Sequence, residues 1–387
     1  MFSLVRIPVG ALLPGAILAA GVAAQTSFDV SVTRLAGAPT LLHHAMAGPL
    51  VAIRLSSPIP PELPPGAVEL LQELARPAAT GAAEGLGAEV ELRVEPDHAV
   101  IILVGAADRL GELVAILRAA VDEPDLAVEP LRVSRARAED RLQEALDRPD
   151  HRLRQRLRAS LRSDRSSPPA TSTALDADAI GRAAARLYAP DRNRLVVVGG
   201  VVATHAAGLI TDWPSHTVRP PAGEEEEEPP APAAEPPTHG YGAALPAGAA
   251  GAALAVAAEL LDRRAGSSPA GAGRVEAWAT DGGGALVLVG ASAGGQATRL
   301  RGLVADLLVD RDLETAARAA AAALRRRLQL RARTALGRAE VIGRLADLEG
   351  RTDGAADLLA GLARIGAGDV RRVLESAVAA QAVEVEP

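Results

Sequence analysis

The sequence predicts an α+β fold of two similar domains, each a mainly antiparallel sheet with helices packed on it. Three observations carry this prediction. Strand pairs joined by turn residues are followed by grouped amphipathic helices, which favours α+β over a doubly wound parallel sheet. The same order of elements occurs twice at similar spacing. Between the two occurrences lies Pro220 to Gly242, PPAGEEEEEPPAPAAEPPTHGYG, whose charge and proline content cannot build a core and should form a solvated linker.

Taken in chain order, the first segment is residues 1–25. Ile7 to Ala24 is apolar behind a single Arg6 and ends Val22-Ala23-Ala24-Gln25, which suits signal-peptide cleavage. Pro8, Gly10, Pro14 and Gly15 interrupt the run. The segment therefore reads both as a signal peptide and as a small apolar arm, and the compartment stays open between cytoplasm and export. The N-terminal domain should then occupy residues 26–219.

Glu89-Val90-Glu91-Leu92-Arg93-Val94 alternates polar and apolar residues and should be a strand with one buried face. Glu95-Pro96-Asp97-His98 makes a turn into a more uniformly apolar strand, Ala99 to Val104. An amphipathic helix follows through Leu117, then a long helix from Val133 to Leu146. Arg152 to Arg165 holds Leu153, Leu157 and Leu161 four apart, an apolar stripe beneath an arginine face. Such a face is either solvated or a binding surface for an acidic peptide or subunit. The domain should close with a helix, Asp178 to Leu187, and a strand, Leu195 to Val198.

After the 220–242 linker, residues 243–387 should form a shortened C-terminal domain. Val275 to Ala279 pairs through Asp281-Gly282-Gly283-Gly284 with Leu286 to Val289. Helices through Leu308 and from Leu313 to Leu336 come next. A helix from Asp369 to Val378 and a strand from Ala382 to Val385 end the chain, as in the first domain.

Composition narrows the functional classes. The chain has 387 residues, enough for two or three ordinary domains, and 48% of them are hydrophobic. Aromatics are only 2%, so Ala, Leu and Val must fill the core, and stacking platforms for bases or sugars are scarce. There is no Cys, which excludes disulfides and thiolate metal sites. All 41 basic side chains are Arg, and the net charge of −7 argues against a general nucleic-acid binder. No dinucleotide-binding Gly-x-Gly-x-x-Gly, Gly-x-Ser-x-Gly elbow or P-loop occurs in the context each requires. His43 and His44 sit where the opening hairpin should turn. Adjacent strand residues face opposite ways, so they cannot chelate one ion well.

Several motifs resemble the insulinase/pitrilysin/mitochondrial processing peptidase family in order and spacing, from about Arg34 to Pro387. Leu35 to Leu41 and Gly48 to Arg54 look like its opening hairpin. Gly66-Ala67-Val68-Glu69-Leu70-Leu71-Gln72-Glu73-Leu74 is similar to its zinc helix, Gly-x-x-His-x-x-Glu-His. Ala107-Asp108-Arg109-Leu110 resembles the opening of the helix after the second hairpin. Asp147 to His151 looks like the Asp-x-Pro turn. Tyr188-Ala189-Pro190-Asp191-Arg192-Asn193 is similar to the Tyr-x-Pro-x-Asn entry to a strand, the most specific match.

The resemblance implies what is missing as well. Relatives bind zinc through two His one helical turn apart, and a Glu between them activates water. Here those places hold Glu69, Gln72 and Glu73, so no imidazole is present to hold a Lewis acid. The third ligand, a Glu on the long helix, falls at Asp140 or Arg141, with Glu139 one residue back. Glu69, Glu73 and Asp140 together would suit only a hard cation. The family's C-terminal Arg and Tyr, which contact substrate, map to Arg274 and to Glu276 or Trp278.

The expectation is a catalytically silent subunit with no catalytic residue and no metal of its own. It pairs with an active subunit of the family, which carries the zinc, and binds peptide in the chamber they enclose, with Arg274 as the substrate-binding candidate. The alternative is a purely structural or peptide-binding scaffold without a role in proteolysis. A third possibility, an active peptidase with carboxylate ligands, predicts chelator-sensitive cleavage by the isolated chain.

Overall fold

In a computed structural model of the chain, the described residues are 29–60, 62–64, 66–95, 97–122, 124, 126–146, 175–214, 241–245, 251–266, 273–280, 283–290, 296–349, 361–362, 364–379 and 382–384. The expected signal-like segment, the arginine-rich stripe of 152–165, the Asp147–His151 turn and most of the linker lie outside them. Among the described residues no helix is long and apolar enough to cross a membrane.

The first sheet has six strands: β1 (Ser31–Thr33), β2 (Thr40–Ala45), β3 (Leu50–Pro58), β4 (Glu89–Val94), β5 (His98–Ala106) and β6 (Arg194–Gly199). Their order is β1-β2-β6-β3-β5-β4. The β4–β5 hairpin forms as its alternation predicts, with Val94 opposite Ala99 and Glu89 opposite Val104.

The opening hairpin does not form. β6 inserts between β2 and β3, parallel to β2 and antiparallel to β3. The hairpin at the start is instead β1 with β2. The physical reason lies in β6 itself. Leu195 to Val198 are all buried, and a strand apolar on both faces needs a neighbour on each side and cover above and below. Gly199 permits the fit, because a Cβ there would lie 2.9 Å from Leu50 O and from Val51 Cα.

One face of this sheet packs on α1 (Ala67–Gly85), α2 (Leu110–Val121), α3 (Val128–Leu146) and α4 (Ala177–Leu187). Leu41, Ile53, Leu55, Ile101, Leu103 and Val197 meet Leu70, Leu71, Leu113, Leu117 and Ile180 there in one core. Each such buried Leu, Ile or Val stabilises the fold by about 1.5–3 kcal/mol relative to exposure. A 3₁₀ turn, Pro190–Arg192, leads from α4 into β6. At its start Tyr188 is fully buried, which pushes its hydroxyl pKa up. A short helix, α5 (Ala203–Gly208), follows β6.

The second sheet has four described strands: β7 (Tyr241–Leu245), β8 (Gly273–Thr280), β9 (Gly283–Gly290) and β10 (Ala382–Glu384). They run β10-β7-β9-β8, every pairing antiparallel. Around it lie α6 (Gly251–Gly266), α7 (Gln296–Val309), α8 (Leu313–Arg331), α9 (Ala335–Glu349) and α10 (Ala367–Ala379). Its core is rich in alanine, with Ala253, Ala257, Ala317, Ala320 and Ala321 among Leu261, Leu300 and Val370.

The architecture is thus mixed α/β. The two sheets share an order of elements without being copies over the described residues: one has six strands and a parallel pairing, the other four and none.

The expected helix from Leu313 to Leu336 breaks into α8 and α9. Helix α9, although late in the chain, keeps Val341 and Leu345 in the second core and covers the other face of the first sheet as well. Ala335, Ala339, Ile342 and Ala346 recur at helical spacing and meet Leu42, Ala52, Val196 and Val198. Small residues bring this helix close to the strands.

Candidate functional site

The site grows out of α1. Its N-cap is Gly66 at φ 79°, a left-handed conformation that glycine adopts without penalty. Glu69 sits in the first turn, where a carboxylate complements the helix dipole. Val68, Leu70 and Leu71 face the core, and so do two polar residues, Gln72 and Glu73. A polar side chain on a buried face must find partners.

Gln72 finds them in the sheet. Its Nε2 donates to Arg93 O at 2.8 Å and to Val100 O at 3.5 Å. These are register partners on β4 and β5, so the amide ties the helix to the hairpin. A carboxylate here would set negative charge against two carbonyl oxygens. The position to which the sequence resemblance assigns a general base is occupied by a hydrogen-bond donor.

Glu73 is only 3% exposed and is held by two cations. Arg76 Nε donates to its Oε1 at 2.9 Å, and Arg141 Nε lies 3.2 Å from the same oxygen. Arg76 also donates from Nη2 to Leu92 O. Glu69 and Glu73, one helical turn apart, therefore differ in environment. Glu73 is buried and ion-paired, while Glu69, one turn nearer the start of the helix, stays half-buried.

Pro77 adds a further link. It lies inside α1, has no N–H, and so removes the donor that would pair with the carbonyl four residues back. That carbonyl belongs to Glu73, and the Ser134 hydroxyl of α3 donates to it at 3.4 Å. Ser134 and Arg141 both project from α3, so the helix expected to bring a third ligand brings a hydroxyl and a guanidinium.

On the open choice between Asp140 and Arg141, the structure brings Arg141 to Glu73 and leaves Asp140 exposed. Zinc needs three or four N, O or S ligands converging on one point. Around α1, Glu73 Oε2 is the one buried oxygen with no hydrogen-bond partner among the described residues. Beside it stands the Arg141 cation. No three His, Cys, Asp or Glu side chains gather as metal ligands among the described residues. The residues do not fit zinc, nor the carboxylate cage for a hard cation.

Arg274 lies on β8, opposite Val289 on β9. Its side chain is outside the described residues, as is that of Trp278. His43 and His44 do point to opposite faces, but within β2 rather than at a turn. His43 Nε2 lies 2.9 Å from Val201 O, while His44 Nε2 lies 2.8 Å from Arg338 Nη1 of α9.

Sequence reasoning missed a second polar cluster, on the sheet face beneath α9. Arg54, fully buried in the middle of β3, pairs with Asp347 at 2.9 Å and Glu95 at 3.5 Å. The signal was present: an arginine inside the apolar run Leu50 to Leu55 requires a buried partner.

The fold has solved counterparts. A protease from Helicobacter pylori superposes with a TM-score of 0.71 at 12% identity, covering 93% of this chain and 100% of that one. A peptidase M16 inactive domain from Pseudomonas fluorescens gives 0.65 at 15% identity, covering 90% and 95%. An M16-like peptidase from Alicyclobacillus acidocaldarius gives 0.67 at 16%, again covering 90% and 95%. At these identities the likeness is one of fold, and the expected insulinase-type resemblance holds at that level. No protein-family model matches the sequence, and no curated protein does.

Proposed function

We propose that this chain is a catalytically silent subunit with an M16 peptidase fold. It pairs with an active zinc-bearing subunit, encloses a peptide chamber with it and binds peptide there. One observation carries the reading: the Glu73 carboxylate is neutralised by Arg76 and Arg141 where a hydrolytic metal would need it free. Gln72, tied to two backbone carbonyls, cannot take a proton from water. Two positively charged side chains in the metal's place oppose a divalent cation by simple Coulomb repulsion. The fold shared with a structure named as an inactive M16 domain supports the same reading.

In this proposal the C-terminal unit is a shortened relative of the N-terminal one, Arg274 contacts the peptide, and zinc resides only in the partner. The test is reconstitution with a partner that carries an intact His-x-x-Glu-His helix. Peptide cleavage should appear, or rise at least about tenfold, only on mixing the two proteins. Full activity of the partner alone would sink the proposal in favour of a scaffold. Cleavage by this chain alone would sink both.

A further inference from the structure

The seam between α9 and the first sheet holds more ionisable groups than a packing contact needs. Arg54, Arg194 and His98 come from three strands, and Asp347 from α9 joins them. Asp347 Oδ2 takes Arg54 Nη1 at 2.9 Å and the Ser56 hydroxyl at 3.0 Å. Its Oδ1 faces Arg194 Nη1 at 3.1 Å and His98 Nε2 at 3.7 Å. The Arg54 guanidinium also contacts Ser56 Oγ.

His98 is buried, with only 5% of its surface exposed. Its Nδ1 lies 2.9 Å from Asp97 Oδ1, close enough for an ion pair but off the hydrogen-bond axis. The ring therefore stands between two carboxylates, and the Arg194 cation opposes its charge. Glu95 completes the surroundings: its N–H donates to His98 O, and its carboxylate holds Arg54, Arg93 and Arg344. His44, the other imidazole facing α9, has its pKa lowered, first by burial and then by Arg338. It stays neutral over the range in which His98 titrates.

Glu95, Glu340 and Asp347 are met by Arg54, Arg93, Arg194 and Arg344, while charged His98 stands directly between Asp347 and Asp97. With His98 neutral, the buried Asp347 and the partly buried Asp97 lose the positive charge that stands between them, in a poorly solvated place. Helix α9 is the only element that brings Asp347, Glu340 and Arg344 to this face. It is also the part of the C-terminal region that closes over the first sheet.

We propose that the α9 seam is a proton-operated latch in which charged His98 holds Asp347, and with it α9, against the first sheet. Loss of the proton loosens the helix. Burial lowers the His98 pKa, but Asp347 and then Asp97 outweigh it and leave the pKa raised above 6.5. The sign follows from linkage: stability from a raised histidine is complete below 6.5 and is lost as pH rises through the higher folded value. The latch is closed just below 6.5 and opens as pH rises through the higher folded value. It goes beyond the subunit reading above and does not depend on it.

Amide hydrogen exchange on the full chain from pH 6 to 9, corrected for intrinsic rates, tests this. Protection of residues 335–349 should fall threefold or more, on the order expected when one linked proton is lost. Protection of α4, on the opposite sheet face, should not change. In His98→Gln the α9 protection should be lower and independent of pH. A flat profile in the unaltered protein, a slope that survives His98→Gln, or an equal loss in α4 would overturn the latch. Should His98→Gln fail to fold, a direct NMR titration of the His98 ring decides. A pKa at or below 6.5 contradicts the proposal, and one above it supports it.

Discussion

The Arg54 side chain crosses the backbone of Gly343. A Cβ added at Gly343 would lie 2.7 Å from Arg54 Cδ and 2.8 Å from its Cζ. Only a residue without a side chain lets the guanidinium reach Asp347, one helical turn further along α9. The residue pair therefore sets how closely the C-terminal helix approaches the first sheet.

Replacing Gly343 with Ala should destabilise the protein by about 1–3 kcal/mol through overpacking, although alanine is the better helix former. Gly302, on α7, meets nothing within 4 Å of its missing Cβ. Gly302→Ala should be neutral or stabilise by about 0.5–1 kcal/mol. Urea unfolding of the two variants checks the contrast, and equal effects would argue against the close approach.

Asp347→Asn should cost about 3–5 kcal/mol, because Arg54 and Arg194 would remain buried without their common anion. Its pH dependence is also defined. Burial alone would raise this carboxyl, but His98, Arg54 and Arg194 hold it down at about 2, below the ordinary 3.8. The stability it contributes is present above 3.8 and is lost as pH falls through about 2. Acid unfolding of the native protein should show this slope, and Asp347→Asn should lack it.

Much of the fold was legible in local pattern. The alternation of Glu89 to Val94 and the apolar runs of β5, β6 and β9 placed those strands, and the Asn193 entry to β6 lies where the Tyr-x-Pro-x-Asn likeness put it. Pairing partners were harder. Nothing near Leu195 says that it will separate β2 from β3, since only the completed sheet provides cover on both faces. The α8–α9 break was hidden because Leu313 to Leu336 keeps high helix propensity throughout. The same limit applied at the site. The lost imidazoles were visible at Glu69 and Glu73, but Arg76 and Arg141 could not be assigned to Glu73 without knowing how α3 crosses α1.

The amide at position 72 gives the next expectation. Gln72→Glu removes two donated hydrogen bonds and places a carboxylate against Arg93 O and Val100 O. It should lower stability by about 2–4 kcal/mol and produce no hydrolysis. A stable Gln72→Glu protein would show that the amide is not needed as a tie.

Pro77 and Ser134 should be coupled. Pro77→Ala restores an N–H beneath the Glu73 carbonyl, and should stabilise α1 by about 1–3 kcal/mol. Ser134→Ala should cost about 1 kcal/mol in the native protein and clearly less in the Pro77→Ala background. A double-mutant cycle measures the difference, and strict additivity would contradict the proposed substitution of one donor for another.

Rebuilding the metal centre tests which α3 residue blocks it. Glu69→His, Gln72→Glu and Glu73→His together should still bind zinc weakly, because the Arg141 cation remains and no third ligand is supplied. Adding Arg141→Glu should strengthen zinc binding by on the order of tenfold or more, whereas Asp140→Glu in its place should not. Metal-competition titrations distinguish the two, and an advantage for Asp140→Glu would reverse the assignment.

The most direct measurement is a zinc titration of the purified native chain, followed by calorimetry and elemental analysis after dialysis. With Glu73 committed to Arg76 and Arg141, no stoichiometric zinc should be retained, and Glu73→Gln should leave the titration unchanged. One tightly held zinc per chain, released by Glu73→Gln, would contradict the account at its foundation.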